Sequence, residues 1–170
     1  MMLRWSNWLL TNDRRMLLFL NLRLRCSLLD IILPKLTHTG GATFTILFSL
    51  MLWLLGGPGL EALLALGSSH LLVHVLKKKF NRERPYLKHD EVNVTKNPLK
   101  DFSFPSGHTT AITALTVIIA LTYPILSIIV FPIALLVGIS RIYLGLHYPT
   151  DVIIGGIIGS VFALFIHLIL

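Results

Sequence analysis

Three short pieces of this chain hold residue types that could handle a phosphate group. The first is Lys77 followed, after six residues, by Arg84-Pro85. The second is Pro105-Ser106-Gly107-His108. The third is Ser140-Arg141, then His147 after five residues and Asp151 after three more. Lys77, Arg84 and Arg141 offer three cations. Arginine presents a planar fork that meets two phosphate oxygens at once, and lysine presents a mobile point charge. Such a set suits a dianionic phosphate whose charge shifts in the transition state. The run Lys77-Lys78-Lys79 could equally anchor a helix end at lipid headgroups. That reading serves for Lys78 and Lys79, while for Lys77 both readings stand.

Pro105-Ser106-Gly107 has the composition of a helix start. Proline fits the first turn, and the unpaired backbone N–H groups there attract anions. Ser106 can add its hydroxyl and Gly107 can admit a ligand close to the backbone, although a serine at this place also serves as a plain cap. His108 follows directly, where it could protonate a leaving oxygen. His147 and Asp151 are four residues apart, a spacing that brings a carboxylate to one ring nitrogen on a helix or compact turn. A carboxylate there fixes the tautomer and supports the imidazolium that forms when the other nitrogen attacks. Asp151 would at the same time suit the start of the following helix.

These residues need elements to hold them, and composition says which. Of 170 residues, 54% are hydrophobic and 14% charged, against about a quarter charged in soluble domains. The chain therefore reads as a single all-α, polytopic membrane bundle. A span needs about 20 mostly apolar residues, and five stretches approach this: 41–55, 59–76, 106–123, 124–139 and 152–170. Gly56-Gly57-Pro58-Gly59 and Tyr123-Pro124 mark turns, and Pro132 should kink the fourth stretch. Residues 16–33 are apolar but interrupted by Arg23, Arg25 and Asp30, so residues 1–36 are expected to form an interfacial helix with Trp5 and Trp8 at headgroup level. Counting spans puts the polar segments 77–104 and 140–151 on one membrane face, with 77–104 as the active-site loop. The single cysteine, Cys26, excludes an intrachain disulfide and a cysteine-based metal site. No cleavable signal peptide is expected. Lys and Arg outnumber Asp and Glu by 15 to 8, which points to anionic headgroups or a phosphorylated substrate in preference to nucleic acid.

Taken together, KKKFNRERP, PSGH and SRIYLGLHYPTD resemble the signature of the type 2 phosphatidic acid phosphatase family, which shares its fold with vanadium haloperoxidases and glucose-6-phosphatase. The resemblance covers roughly residues 40–165. It implies a helical bundle in the bilayer and metal-independent, cofactor-free hydrolysis of a lipid phosphate through a phosphohistidine. By matching position, His147 is the implied nucleophile, Asp151 orients it, and His108 is the general acid. Lys77, Arg84, Ser106, Gly107 and Arg141 are implied to bind phosphate. Undecaprenyl diphosphate, phosphatidic acid and phosphatidylglycerophosphate are the substrates the family suggests, with the small size leaning toward the first.

Two other classes remain as expectations to weigh. A non-enzymatic lipid-binding or transport module would not need His147 paired with Asp151. A vanadate-dependent haloperoxidase could use the same cradle, but a short membrane-embedded chain argues against it. His70 and His74 are four apart in the second stretch without an evident third ligand, so packing or a polar contact inside the bundle is expected for them. His38, His89 and His167 are given no role. Phe102 and Phe104 suit either a lipid chain or core packing. A cell-membrane location is expected. The resemblance suggests that the site faces outward, whereas the excess of Lys and Arg on its face favours the cytoplasm.

Overall fold

The computed structural model describes residues 2–94, 98 and 100–170, with side chains described from Leu10 onward. The described residues form helices and no strand: α1 (Met2–Leu18), α2 (Ser27–Leu36), α3 (Ala42–Leu54), α4 (Gly59–Phe80), α5 (Pro85–Lys88), α6 (Gly107–Thr122), α7 (Ser127–Tyr143) and α8 (Pro149–Ile169). Each of the five apolar stretches folds as a helix, α3, α4, α6, α7 and α8 in turn. Among the described residues three segments are long and apolar enough to cross a membrane: Gly59–Lys88, Pro124–Tyr143 and Pro149–Ile169. The other two, α3 and α6, are apolar but shorter. At about 1.5 Å per residue, the 13 residues of α3 reach only about 20 Å.

The shortness of α6 follows from where it sits. It starts at the capping residue Ser106 and ends before Pro124, which opens a 3-10 turn. Between these points it is the central helix, touching α3, α4, α7 and α8. Nearly all of its residues from Thr109 to Ile119 are buried, so neighbouring helices surround it where lipid would surround an outer span. Its closest partner is α8, and small residues bring the two backbones together. A Cβ on Gly159 would lie 2.4 Å from the Thr110 carbonyl oxygen, and one on Gly155 would lie 2.6 Å from that of Ser106. Without Cβ atoms at these two positions α8 can press against α6. That contact sets the start of α8 beside the start of α6, and with it Asp151 beside Ser106.

The N-terminal region differs from the single interfacial helix expected. It is two helices joined by a π-helical turn, Phe19–Arg23, and an extended Cys26. Asn21, fully buried in that turn, accounts for the break. Its amide donates to the carbonyl oxygens of Asn93 (2.8 Å) and Tyr143 (2.7 Å), and its carbonyl accepts from the Asn93 amide at 2.8 Å. Such π turns recur at functional sites. Leu17, also fully buried, packs with Val92, Ile142 and Tyr148. The side chains of Trp5 and Trp8, expected at headgroup level, lie outside the described residues. From Asp13 to Gly41 the chain packs against the end of the bundle that carries residues 82–108 and 137–151, with Leu36 also reaching Ile112 and Ala134. Asp30, one of the charges that interrupt the apolar run, accepts from the Tyr143 hydroxyl at 3.0 Å and pairs with Arg25 at 3.2 Å. The segment expected to be loop from residue 77 remains helical to Phe80. There Asn81, at φ 44°, ends α4 in the left-handed conformation that asparagine tolerates.

Candidate active site

His147 lies in the link between α7 and α8 and is 1% exposed. Its Nδ1 is 2.7 Å from the backbone carbonyl oxygen of Ser103. A carbonyl can only accept, so Nδ1 carries the proton and Nε2 bears a free lone pair. Nε2 is 3.1 Å from Nη1 of Arg84, which donates to it. The ring is therefore held in one tautomer, with its basic nitrogen among cations. The expected carboxylate–imidazole bond is not direct. Asp151 Oδ2 is 3.6 Å from Nδ1, beyond hydrogen-bond reach. As the third residue of α8, Asp151 accepts instead from the Tyr148 amide at 2.8 Å, which pins it to the helix start. It also accepts from Arg82 Nη1 at 2.6 Å and from the Ser103 hydroxyl. Ser103 thus links the carboxylate to the imidazole, its side chain on one and its carbonyl on the other. Burial lowers the His147 pKa from the usual 6.5 to about 3; the Asp151 carboxylate pulls it upward, and the guanidiniums of Arg141 and Arg84 push it down again.

Arg84 stands at this nitrogen, Arg141 is within electrostatic reach of it, and Lys77 is joined to Arg84 through Asp101. Lys77, in the last turn of α4, is 3.0 Å from Asp101 Oδ2 and donates to the Phe102 carbonyl oxygen. Arg84, 1% exposed, precedes α5 and is bonded on every side. Its Nε donates to the Asp101 carbonyl oxygen (2.7 Å), Nη2 to Asp101 Oδ1 (2.6 Å) and Nη1 to the Leu146 carbonyl oxygen (2.7 Å). Arg141, 2% exposed in the last turn of α7, differs. Its Nη1 donates to the Thr37 hydroxyl at 2.9 Å, whereas Nε and Nη2 are buried with no hydrogen-bond partner among the described residues. Leaving a buried charged donor unpaired costs more than the roughly 1–3 kcal/mol of a neutral one. Two adjacent N–H groups on one guanidinium edge match two oxygens of one anion. Lysine at Arg84 or Arg141 is expected to cost about a hundredfold in rate, or about 3 kcal/mol, because one ammonium cannot reproduce the fork. Steady-state rates of both variants check this; near-normal activity in both would assign these arginines to packing.

The start of α6 completes the ring of groups. The Ser106 hydroxyl is 3.4 Å from the Thr109 amide, from which it accepts, and shares a 2.9 Å bond with the Thr109 hydroxyl. Ser106 is thus a helix cap here, and its own amide donates to the Asp151 carbonyl oxygen at 3.0 Å. The next amides, those of Gly107 and His108, open the helix and have no partner within it. Among the described residues a Cβ on Gly107 would meet only His70 Nε2, at 3.8 Å, so none of them fills the space that glycine leaves. His108 is within electrostatic reach of Arg141, His147 and Arg84. Its Nε2 is 3.7 Å from where a Cβ on Gly41 would stand. All eight residues singled out from the sequence therefore gather at one end of the bundle.

Several neighbours carried no signal of their own. Ser103 acts partly through a carbonyl oxygen, which any residue possesses. Arg82 lies within KKKFNRERP but is told from Arg84 only by its contacts, since it pairs with Asp13 at 2.7 Å and sits 4.0 Å over the Tyr148 ring. Asp13, 4% exposed, also accepts from the Thr150 amide at 2.9 Å and from its hydroxyl. The N-terminal region thus supports the site through Asp13, Asn21 and Thr37. Of the remaining expectations, Phe104 packs edge-on against Phe80 (5.0 Å between centroids) while Phe102 is exposed. His70 Nδ1 donates to the Leu66 carbonyl oxygen at 3.0 Å. His167 pairs with Glu61 at 2.7 Å, joining α8 to α4 far from the site, and His89 meets the Tyr148 ring edge-on. Among the described residues no three His, Cys, Asp or Glu side chains cluster as metal ligands would.

Comparison with known proteins follows the same residues. Positions 58–170 match the family profile of the PAP2 superfamily. Decaprenylphosphoryl-5-phosphoribose phosphatase of Mycolicibacterium smegmatis is 41% identical over 98 residues, 54% of this chain and 51% of the relative. The chain thus spans about half the length of that relative. Phosphatidylglycerophosphatase B of Bacillus subtilis is 35% identical over 153 residues, 77% of this chain and 70% of the relative. The crystal structure of Aquifex aeolicus LpxE superposes with a TM-score of 0.82 at 28% identity, covering 90% of this chain and 93% of that one.

Proposed function

Because the chain belongs to the PAP2 superfamily, we propose that it is a membrane lipid phosphatase, cleaving a phosphate monoester or diphosphate of a lipid through a phosphohistidine and without a metal ion. The observation that carries this reading is the pair of buried N–H groups on Arg141 that have no partner among the described residues, within electrostatic reach of an imidazole whose unprotonated Nε2 accepts from Arg84. The phosphate sits on Arg141, Lys77, Arg84 and the first amides of α6. His147 Nε2 attacks phosphorus, the bond to the lipid oxygen breaks, and His108 gives that oxygen its proton. The Ser103 carbonyl keeps Nδ1–H in place, and the Asp151 carboxylate, 3.6 Å away, offsets the positive charge on the ring. A water molecule, deprotonated by His108, then attacks phosphorus. The P–N bond breaks and releases inorganic phosphate and neutral His147.

A leaving group on the His108 side has somewhere to go. A cavity of about 350 Å³ lies between α3 and α4, lined by Ala42, Thr45, Leu66, Gly67 and His70 among others. Its near end is formed by Ala42, next to Gly41, and by His70, which faces Gly107. Such a groove fits a hydrocarbon chain of undecaprenyl diphosphate, phosphatidic acid or phosphatidylglycerophosphate, in a multi-pass protein of the cell membrane. The test is phosphate release by purified protein in detergent containing a chelator, across a panel of these lipids. Release from at least one long-chain lipid, with KM falling as the chain lengthens, is expected. Activity that disappears with chelator and returns with magnesium, or no release from any lipid, would overturn the proposal.

A further inference from the structure

The phosphate seat already holds an anion. Asp101 places Oδ2 3.0 Å from Lys77 Nζ and Oδ1 2.6 Å from Arg84 Nη2. Arg84 has no guanidinium edge left, because its Nε is taken by the Asp101 carbonyl oxygen and its Nη1 by Leu146 and His147. A substrate phosphate can meet Arg84 at Nη2, where the Asp101 carboxylate now sits. We propose that Asp101 is a built-in competitor for the phosphate seat: it covers Lys77 and Arg84 in the empty enzyme, swings away when substrate binds, and returns to help expel inorganic phosphate. This rests on the phosphatase reading above.

The burial pattern says which partner moves. The Asp101 side chain is 55% exposed, against 13% for Lys77 and 1% for Arg84. The cations lie at depth and the carboxylate at the mouth. The backbone around Asp101 is fixed while its side chain is free to rotate into solvent. The Asp101 carbonyl accepts from Arg84, the Phe102 carbonyl accepts from Lys77, and the Ser103 amide donates to the Arg82 carbonyl at 2.8 Å. Rotation about one side chain therefore uncovers the seat without moving the segment that holds His147. Arg141, whose free edge Asp101 does not reach, is left to make first contact with the incoming phosphate. The competitor is present at every working pH. Burial raises the Asp101 pKa, but Lys77 and Arg84 outweigh it and hold the value at about 2. Phosphate and carboxylate have the same chemistry at these cations, so weakening one strengthens the other.

The alternative is that Asp101 stays in place as a clamp that positions Arg84 and Lys77. The two roles predict opposite signs. The experiment measures competitive inhibition of nitrophenyl phosphate hydrolysis by inorganic phosphate and by vanadate, in the whole protein in detergent, for wild type, Asp101→Asn and Asp101→Ala. Binding of the same two anions is read independently from the rise in thermal unfolding temperature, which needs no turnover. Loss of the competing charge should lower both inhibition constants about tenfold in each variant. Constants that are unchanged or higher would establish the clamp and overturn the proposal. Wild type that neither anion inhibits or stabilises would instead overturn the phosphatase reading itself.

Discussion

Alanine at His147 removes turnover on every substrate, lipid phosphate and nitrophenyl phosphate alike. Its Nε2 presents the ring's lone pair to Arg84, because Nδ1 is committed to the Ser103 carbonyl. Without that lone pair no covalent intermediate forms, and the leaving-group quality of the substrate no longer matters. The same residue sets a pH dependence. Burial, together with Arg141 and Arg84, holds the folded His147 near pKa 3, against 6.5 for the free group. The proposed nucleophile is therefore expected to be unprotonated throughout the neutral range, and its own titration should not form an acidic limb near pH 6. The unfolded chain takes up this proton below about pH 6.5 and the folded chain only near 3. Between those values the unfolded state binds more protons, so stability falls as pH drops. Alanine at His147 should flatten that part of the profile of unfolding temperature against pH.

Alanine at His108 gives a loss that depends on the substrate. General acid catalysis typically contributes about 10²–10⁴-fold. A lipid alkoxide needs the proton, whereas a nitrophenolate departs without one. The variant should therefore lose most of its rate on a lipid phosphate and much less on nitrophenyl phosphate. The ratio of the two activities, compared with wild type, is the measurement. Equal losses on both would remove His108 from the acid role and leave it as part of the phosphate seat. The place of His108 beside Gly41, close to the groove between α3 and α4, is the geometric ground for putting the leaving oxygen on its side.

The parts of the site that could be read from the sequence are those in which a side-chain type and a spacing together carry the chemistry. Lys77 and Arg84 straddle the end of α4, and Arg141 with His147 and Asp151 straddles the junction of α7 and α8. These spacings survive into the fold because short connections hold them. The helices were legible too, since lipid-facing and core-facing positions are both apolar and give long uncharged runs. What stayed hidden depends on contacts between distant parts of the chain. Asp13 reaches Arg82 and Thr150, and Asn21 reaches Asn93 and Tyr143. No local pattern marks a residue whose partner lies 69 or more positions away. The Ser103 carbonyl is invisible for another reason, because its identity as an acceptor does not depend on the side chain. Asp151 suits both a partnership with His147 and a helix start, and its bond to the Tyr148 amide draws it to the helix, leaving Ser103 to complete the link.

The most direct test is to trap the intermediate. Purified protein is mixed briefly with a lipid substrate labelled in its phosphate, in the presence of chelator, quenched in base and mapped by peptide. Label on His147, stable to base, released by acid and lost in the alanine variant, is the result expected. Label on another residue, or undiminished label in the His147→Ala protein, would contradict the account.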